Sequence, residues 1–223
     1  MANDLEPTIP AVITMLTDFG TSDGYVAAMK AVILNINPHV VLVDITHEIT
    51  PQDVRSAAFV LNTVYRFFPP GTIHLTVVDP GVGTDRSAVV VDTGEGLYVA
   101  PDNGLLSFLL ADKRAPAVQG IAPVDREGTF RVEVPQHWRV VQLAEPRYWR
   151  PNPSRTFHGR DIFAPVAAYL SLGEQIKGFG PEVDSLRSFQ VPVARKGPDG
   201  AVEGEVIHTD RFGNLITCIR AEE

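Results

Sequence analysis

The chain has 223 residues, which suits one domain of ordinary size or a main domain with a small appendage. Hydrophobic residues make up 44% and charged residues 21%, so the chain can bury a sizeable core and disorder as its main state is excluded. With 27 acidic against 19 basic residues the net charge is −8, the wrong sign for a nonspecific nucleic-acid binder, and the single cysteine, Cys218, excludes an internal disulfide framework and a cysteine-rich zinc site.

Residues 1–10 carry Asp4, Glu6, Pro7 and Pro10 and read as a loose leader. They show no basic stretch followed by an apolar run, and no later apolar run reaches the ~18–20 residues of a membrane helix, so a cytoplasmic protein without a membrane partner is expected. Residues 11–17 form a nearly continuous apolar run, suited to a strand buried on both faces. A helix follows over about 22–35, with Val26, Met29, Val32, Ile33 and Ile36 on one face. Residues 40–45 read as a second buried strand. Thr50 then caps a helix with Pro51 at its first position, and that helix runs to Phe68 before the Pro69-Pro70-Gly71 stop.

Residues 72–78 are a third strand, and 87–92 and 97–100 two more. Asp102 reads as the cap of a short helix over 105–110. Residues 111–155 carry scattered prolines and mixed polarity and give no firm pattern. A helix is expected over 162–170, ending at Gly173. From Val191 the pattern turns β-rich, with a turn at 196–200 and strands at 201–208 and 215–219. The order β-α-β-α-β predicts an α/β domain over 11–188, with a largely parallel central sheet flanked by helices. Residues 189–223 read as the start of a smaller, β-rich C-terminal domain that is incomplete in this chain.

Five polar clusters stand at the ends of these elements: residues 17–23, 79–86, 101–104 and 210–214 after strands, and 157–161 just before a helix. Each mixes carboxylate, glycine and a hydrogen-bonding side chain, and loops of this kind on one sheet edge make a pocket. Singly, each is explained as a turn or cap: Asp18 suits an Asx-turn, Asn103-Gly104 and Gly213-Asn214 are turn dipeptides, and Arg160 and Asp161 can pair with neighbours. Asp79 and Arg86, seven apart across a glycine-rich loop, read equally as an ordinary salt bridge. Standard motifs fail. Gly81-Val82-Gly83 opens like a dinucleotide fingerprint, but Arg86 holds the third glycine position and a strand follows. Phosphate-loop, kinase, nucleophile-elbow and zincin signatures are absent, and the six histidines are dispersed. His39 and His137 are expected at the surface, and His74 within a strand.

Taken together, T-D-F-G-T-S-D-G-Y (17–25), V-V-D-P-G-V-G-T-D-R (77–86), A-P-D-N-G-L-L (100–106), F-H-G-R-D-I-F (157–163) and D-R-F-G-N-L-I-T (210–217) resemble the S-adenosyl-L-methionine (SAM) hydroxide adenosyltransferases, relatives of the SAM-dependent fluorinase and chlorinase. The resemblance runs from about residue 12 to 219. It implies hydrolysis of SAM to adenosine and L-methionine, with Asp79, Arg86 and His158 as the catalytic set of the water-using branch. The halogenating branch has a tyrosine in place of Asp79 and lacks the histidine. The resemblance further implies that Asp18 holds the ribose hydroxyls, Asp210 meets the methionine ammonium, Phe212 and Asn214 line the adenine side, and Phe157 and Gly159 flank the reacting carbon. Gln52 stands where the fluorinase has a tryptophan over the substrate. Family members are homotrimers with sites between subunits, and their C-terminal domain continues well past the D-R-F-G-N motif, whereas this chain stops nine residues after Asn214.

The implied chemistry is self-consistent. A sulfonium leaves as a neutral thioether, so no general acid, metal or cofactor is required. Water is the weak partner and must be positioned and ionised. Arg86 offers fixed positive charge, and Asp79 and His158 both remain open as the base. Two other readings stay within reach of the residues. One is a halogenase, which Asp79 opposes by repelling halide; the other is a SAM- or nucleoside-binding module without turnover. A metal-dependent phosphoesterase is a distant further reading.

Overall fold

Period-two alternation along the strands sorts the apolar side chains into two cores, one on each face of a single sheet. In β1 (Val12–Thr17), Ile13 and Met15 enter one core and Leu16 the other; in β4 (Ala88–Asp92), Val90 faces the first and Val89 and Val91 the second. The computed structural model of the protein describes residues 10–113 and 128–221; the leader expected over 1–10 lies outside these residues except for Pro10. The first core is closed by α1 (Tyr25–Ile36) and α4 (Ala164–Ser171), the second by α2 (Val54–Val64) and α3 (Ser107–Lys113). Truncating a fully buried member such as Leu75 or Leu61 to alanine would cost about 2–5 kcal/mol.

The sheet adds β2 (Val41–Thr46), β3 (Ile73–Val77), β5 (Leu97–Pro101) and β7 (Arg139–Gln142), in the order β2-β1-β3-β5-β4-β7. All pairings are parallel except those of β4, which is antiparallel to both neighbours. A ribbon of β6 (Thr129–Glu133) and β8 (Ser185–Phe189) lies beside α3. The C-terminal part holds two small hairpins, β9 (Arg195–Lys196) with β10 (Val202–Glu203) and β11 (Val206–Thr209) with β12 (Leu215–Thr217). The second docks on α2, where His208 stacks on Phe59 at 4.9 Å. No helix among the described residues is long and apolar enough to cross a membrane.

Three local expectations are corrected. β2 is not buried on both faces: it is the outer strand, and its residues are half-buried or exposed. The second helix is capped by Asp53, whose carboxylate accepts from the Ser56 N–H at 2.9 Å, rather than by Thr50. Residues 50–52 instead form a turn in which Gln52 takes φ 67°, a left-handed conformation rare outside glycine. Asp102 caps no helix. Buried to 5% exposure, it accepts from Arg131 at 2.6 Å and from the Arg187 backbone N–H at 2.7 Å, tying the end of β5 to the β6–β8 ribbon. His74 is structural as expected: it shares a 2.8 Å hydrogen bond with Thr14 and stacks on Tyr98, and burial pushes its pKa down to about 4.

Candidate active site

From β1 the chain crosses through α1 to β2 on one side, whereas β3 leads away on the other. The carboxyl ends of β1 and β3 therefore flank a topological switch point, where open α/β sheets form a crevice. Asp18 follows β1 directly and Asp79 follows β3 after one residue. The reversed direction of β4 returns the chain to the same edge, so that Arg86, two residues before β4, arrives beside Asp79.

Arg86 Nε donates to both Asp79 oxygens, at 2.8 and 2.9 Å, and its Nη2 donates to Asp79 Oδ2 as well. The two side chains are 9% and 5% exposed. Nη2 also lies 3.1 Å from His158 Nδ1, and the guanidinium sits 5.1 Å over the Phe163 ring. Gly81 and Gly83 shape the connecting loop. Gly83 has φ 78°, and a side chain there would run into the Arg155 carbonyl.

The contact with Arg86 fixes the state of His158. Guanidinium has donors only, so Nδ1 must be the acceptor, and the proton of the neutral ring sits on Nε2. Burial, then the Arg86 charge, lowers the His158 pKa below its ordinary value of 6.5, against weaker opposition from Asp79 and Asp161. His158 is therefore neutral at pH 7 and presents Nε2–H as a donor. Neither that group nor Arg86 Nη1 has a hydrogen-bond partner among the described residues.

His158 opens a single π-helical turn, Gly159–Phe163, ahead of α4. Pro165 supplies a local cause: it has no N–H for the Asp161 carbonyl four residues earlier, which instead accepts from Arg150 N at 2.9 Å. The Asp161 side chain is 2% exposed and is held by Arg160, Arg150 and the Ser154 N–H. Burial alone would raise its pKa, but those donors outweigh it and lower it. Arg160 and Asp161 thus pair with neighbours and fasten the turn. Gly159 packs tightly, since a Cβ there would lie 3.2 Å from the Phe19 ring and 3.3 Å from Met29 Sδ. Phe157, Phe19 and Tyr25 make mutual edge-to-face contacts, with centroids 5.3–6.0 Å apart.

Asp18 joins the same edge. Its Oδ2 accepts from the Gln52 backbone N–H at 2.8 Å, and its other oxygen has no partner among the described residues. Below it, Thr17 accepts from the Phe19 N–H and shares a 2.8 Å hydrogen bond with His47. Contacts thus run from Asp18 through Phe19, Gly159, His158 and Arg86 to Asp79.

Asp210, Phe212 and Asn214 lie apart, in the β11–β12 turn. Asp210 Oδ1 accepts from the N–H groups of Phe212 and Asn214, and Oδ2 accepts from the Asn214 side chain at 2.7 Å. The Asn214 side chain, followed by the turn's backbone donors, lowers the Asp210 pKa against slight desolvation. Phe212 is 90% exposed.

Residues 13–180 match the family described as SAM hydroxide adenosyltransferase N-terminal domain. The chain belongs to that family. It is 42% identical over 210 residues to a Thermus thermophilus protein named (R)-S-adenosyl-L-methionine hydrolase, across 93% of this chain and 74% of that one. A fluorinase of Actinopolyspora mzabensis is more distant, at 28% identity over 95% of this chain and 72% of its own. The crystal structure of an uncharacterized conserved protein from Thermotoga maritima is similar at 38% identity and a TM-score of 0.75, covering 93% and 71% of the two chains.

Two contributors to this SAM hydroxide adenosyltransferase crevice had no sequence signal of their own. The Gln52 N–H reaches Asp18 only because of a left-handed turn that no glycine or asparagine announces. Asn103, read as half of a turn dipeptide, donates to the Val78 carbonyl at 2.9 Å, next to Asp79.

Proposed function

We propose that the chain hydrolyses SAM to adenosine and L-methionine by attack of water on the ribose C5′. The observation that carries this reading is the hydrogen-bonded set Asp79–Arg86–His158 at the switch-point crevice. A buried ion pair is poor evidence for a stabilising device, since apolar residues of like volume serve as well or better. A neutral histidine accepting from the same guanidinium is better explained by chemistry. The two free donors, Arg86 Nη1 and His158 Nε2–H, suit an oxygen gaining negative charge. Asp79 holds Arg86 in place, with both of its oxygens engaged by that guanidinium. The role of His158 is accordingly donation to the nucleophile.

In this reaction one water O–H bond breaks and the proton passes to solvent. The oxygen bonds to C5′, and the C5′–S pair returns to sulfur, leaving a neutral thioether. One cation and one water give two products without net charge and one proton. Asp18 would hold the ribose hydroxyls through its free oxygen, with Phe157 and Gly159 beside the reacting carbon.

Asp210, Phe212 and Asn214 would serve the methionine and adenine ends from a neighbouring copy in a homotrimer, with residues 189–223 acting as a separate C-terminal unit. An ionised Asp210 and a solvent-facing Phe212, neither bonded to the crevice of its own chain, support that division. Incubation with SAM in ¹⁸O-water, followed by mass detection, tests the reaction. Adenosine labelled at the 5′ oxygen is expected, with one proton released per turnover. Intact SAM, or 5′-chloro-5′-deoxyadenosine formed in chloride, would overturn it.

A further inference from the structure

The loop that carries Asp79 and Arg86 is an arch. It leaves β3 and enters β4, yet these strands are not neighbours: β5 lies between them. At ~4.8 Å per strand spacing the arch spans roughly 10 Å over the carboxyl end of β5. Both of its feet need hydrogen-bond partners from that end. β5 finishes at Pro101, which has no N–H to extend the ladder to β3. The next N–H, of Asp102, donates to Ser87 O at 2.8 Å and holds the far foot beside Arg86. The near foot is Val78, fully buried and adjacent to Asp79, and its carbonyl takes the side-chain amide of Asn103 at 2.9 Å. Asn103 Oδ1 accepts from the Leu105 N–H at 3.2 Å, so both ends of the amide are committed and its orientation is fixed.

We propose that Asn103 is a positioning residue for the Asp79–Arg86–His158 set: its side-chain amide takes the Val78 carbonyl that its own backbone N–H, turned to the Pro101 carbonyl at 3.0 Å, leaves open beyond the end of the β3–β5 ladder, and so fixes the strand end from which the Asp79 carboxylate projects. This inference rests on the proposed hydrolysis for its kinetic consequence but not for its geometry. Asn103 touches neither the reacting atoms nor the proposed substrate positions. Its loss frees a buried carbonyl and lets the near foot shift while the far foot stays held by backbone.

The test compares Asn103→Ala with Asp102→Asn in the intact chain. Asp102 makes the stronger tertiary ties, to Arg131 and Arg187, whereas its contribution to the arch is a backbone N–H that the substitution keeps. Asp102→Asn should lower Tm with kcat at 20 °C unchanged. Asn103→Ala should lower kcat on the order of tenfold to a hundredfold, the scale of a sub-ångström to 1 Å misplacement, with KM for SAM within about twofold. A second readout needs no turnover. The His158 ring resonances, followed against pH by NMR, should titrate at higher pH in Asn103→Ala than in the parent, because Arg86 is held less firmly against the imidazole. An unchanged His158 titration together with an unchanged kcat overturns the inference while leaving the hydrolase reading intact. A parent protein that leaves SAM intact overturns the hydrolase reading, and the NMR comparison then still decides the role of Asn103.

Discussion

The switch-point crevice and the β11–β12 turn carry the same kinds of residue and use them in opposite ways. In the crevice, Asp79 and Arg86 meet His158, which lies 72 residues beyond Arg86 in the chain. In the turn, Asp210 spends both oxygens on its own four-residue neighbourhood. The backbones differ alike: the crevice holds Gln52 at φ 67°, while the turn meets its own left-handed position with Gly213 at φ 87°. The first region is assembled by the fold and carries strain; the second is a local, relaxed unit presented to solvent. Residues set by the whole sheet suit a bond-making step, which tolerates little displacement, whereas a self-contained turn suits a contact offered to something arriving from outside.

The largest effect expected from breaking this contrast is at Arg86. Arg86→Ala should lower kcat by on the order of 10²–10³-fold, the loss found when a preorganised donor is removed, with SAM binding by calorimetry largely kept. Asp210→Asn should do the reverse, weakening SAM about tenfold or more through KM with a smaller change in kcat. If the turn serves a neighbouring copy, mixing the two variants should restore part of the activity, and mixtures that stay inactive would place the turn outside the site. Acid should separate the regions next. As pH falls, a proton on His158 Nδ1 must displace Arg86, so kcat should fall with a midpoint below 6.5, while KM holds until the pH drops below 3.8 because Asp210 stays ionised. The unfolded chain takes up that histidine proton more readily than the folded one, so stability should also decline as pH drops below 6.5. The smallest effect belongs to the strain itself. Gln52→Gly should gain about 1 kcal/mol, seen as a Tm rise of about 2–4 °C in calorimetry.

Much of this was legible in the sequence, for identifiable reasons. Buried parallel strands such as β1 and β3 declare themselves as short apolar runs, and the polar residues after them fall on one edge by the handedness of the crossovers. β2 misled because its apolar Val41, Leu42, Val43 and Ile45 read as a central strand although Asp44 interrupts them and the strand is an outer one. Thr50-Pro51 misled because the pattern for a helix start fits equally a turn one step earlier, and only the Asp18 carboxylate reveals why the chain turns there. Asn103 was hidden by its commonness: Asn-Gly marks a turn in any protein, and the unpaired Val78 carbonyl exists only once β5 has paired with β3. The Asp79–Arg86 spacing was visible, but the ordinary salt bridge it also suggests is set aside only by the presence of His158 on the same guanidinium.

The π-helical turn at Gly159–Phe163 bears on how such a site can be gained or lost. A π turn is an α-helical turn carrying one inserted residue. Removing one residue from 159–163 would restore regular winding and rotate everything ahead of it by about 100° around the helix axis. His158 would leave Arg86, while α4 and its core contacts stayed in register. A single-codon deletion, with no exchange of any side chain in the set, is enough to separate the histidine from the other two members.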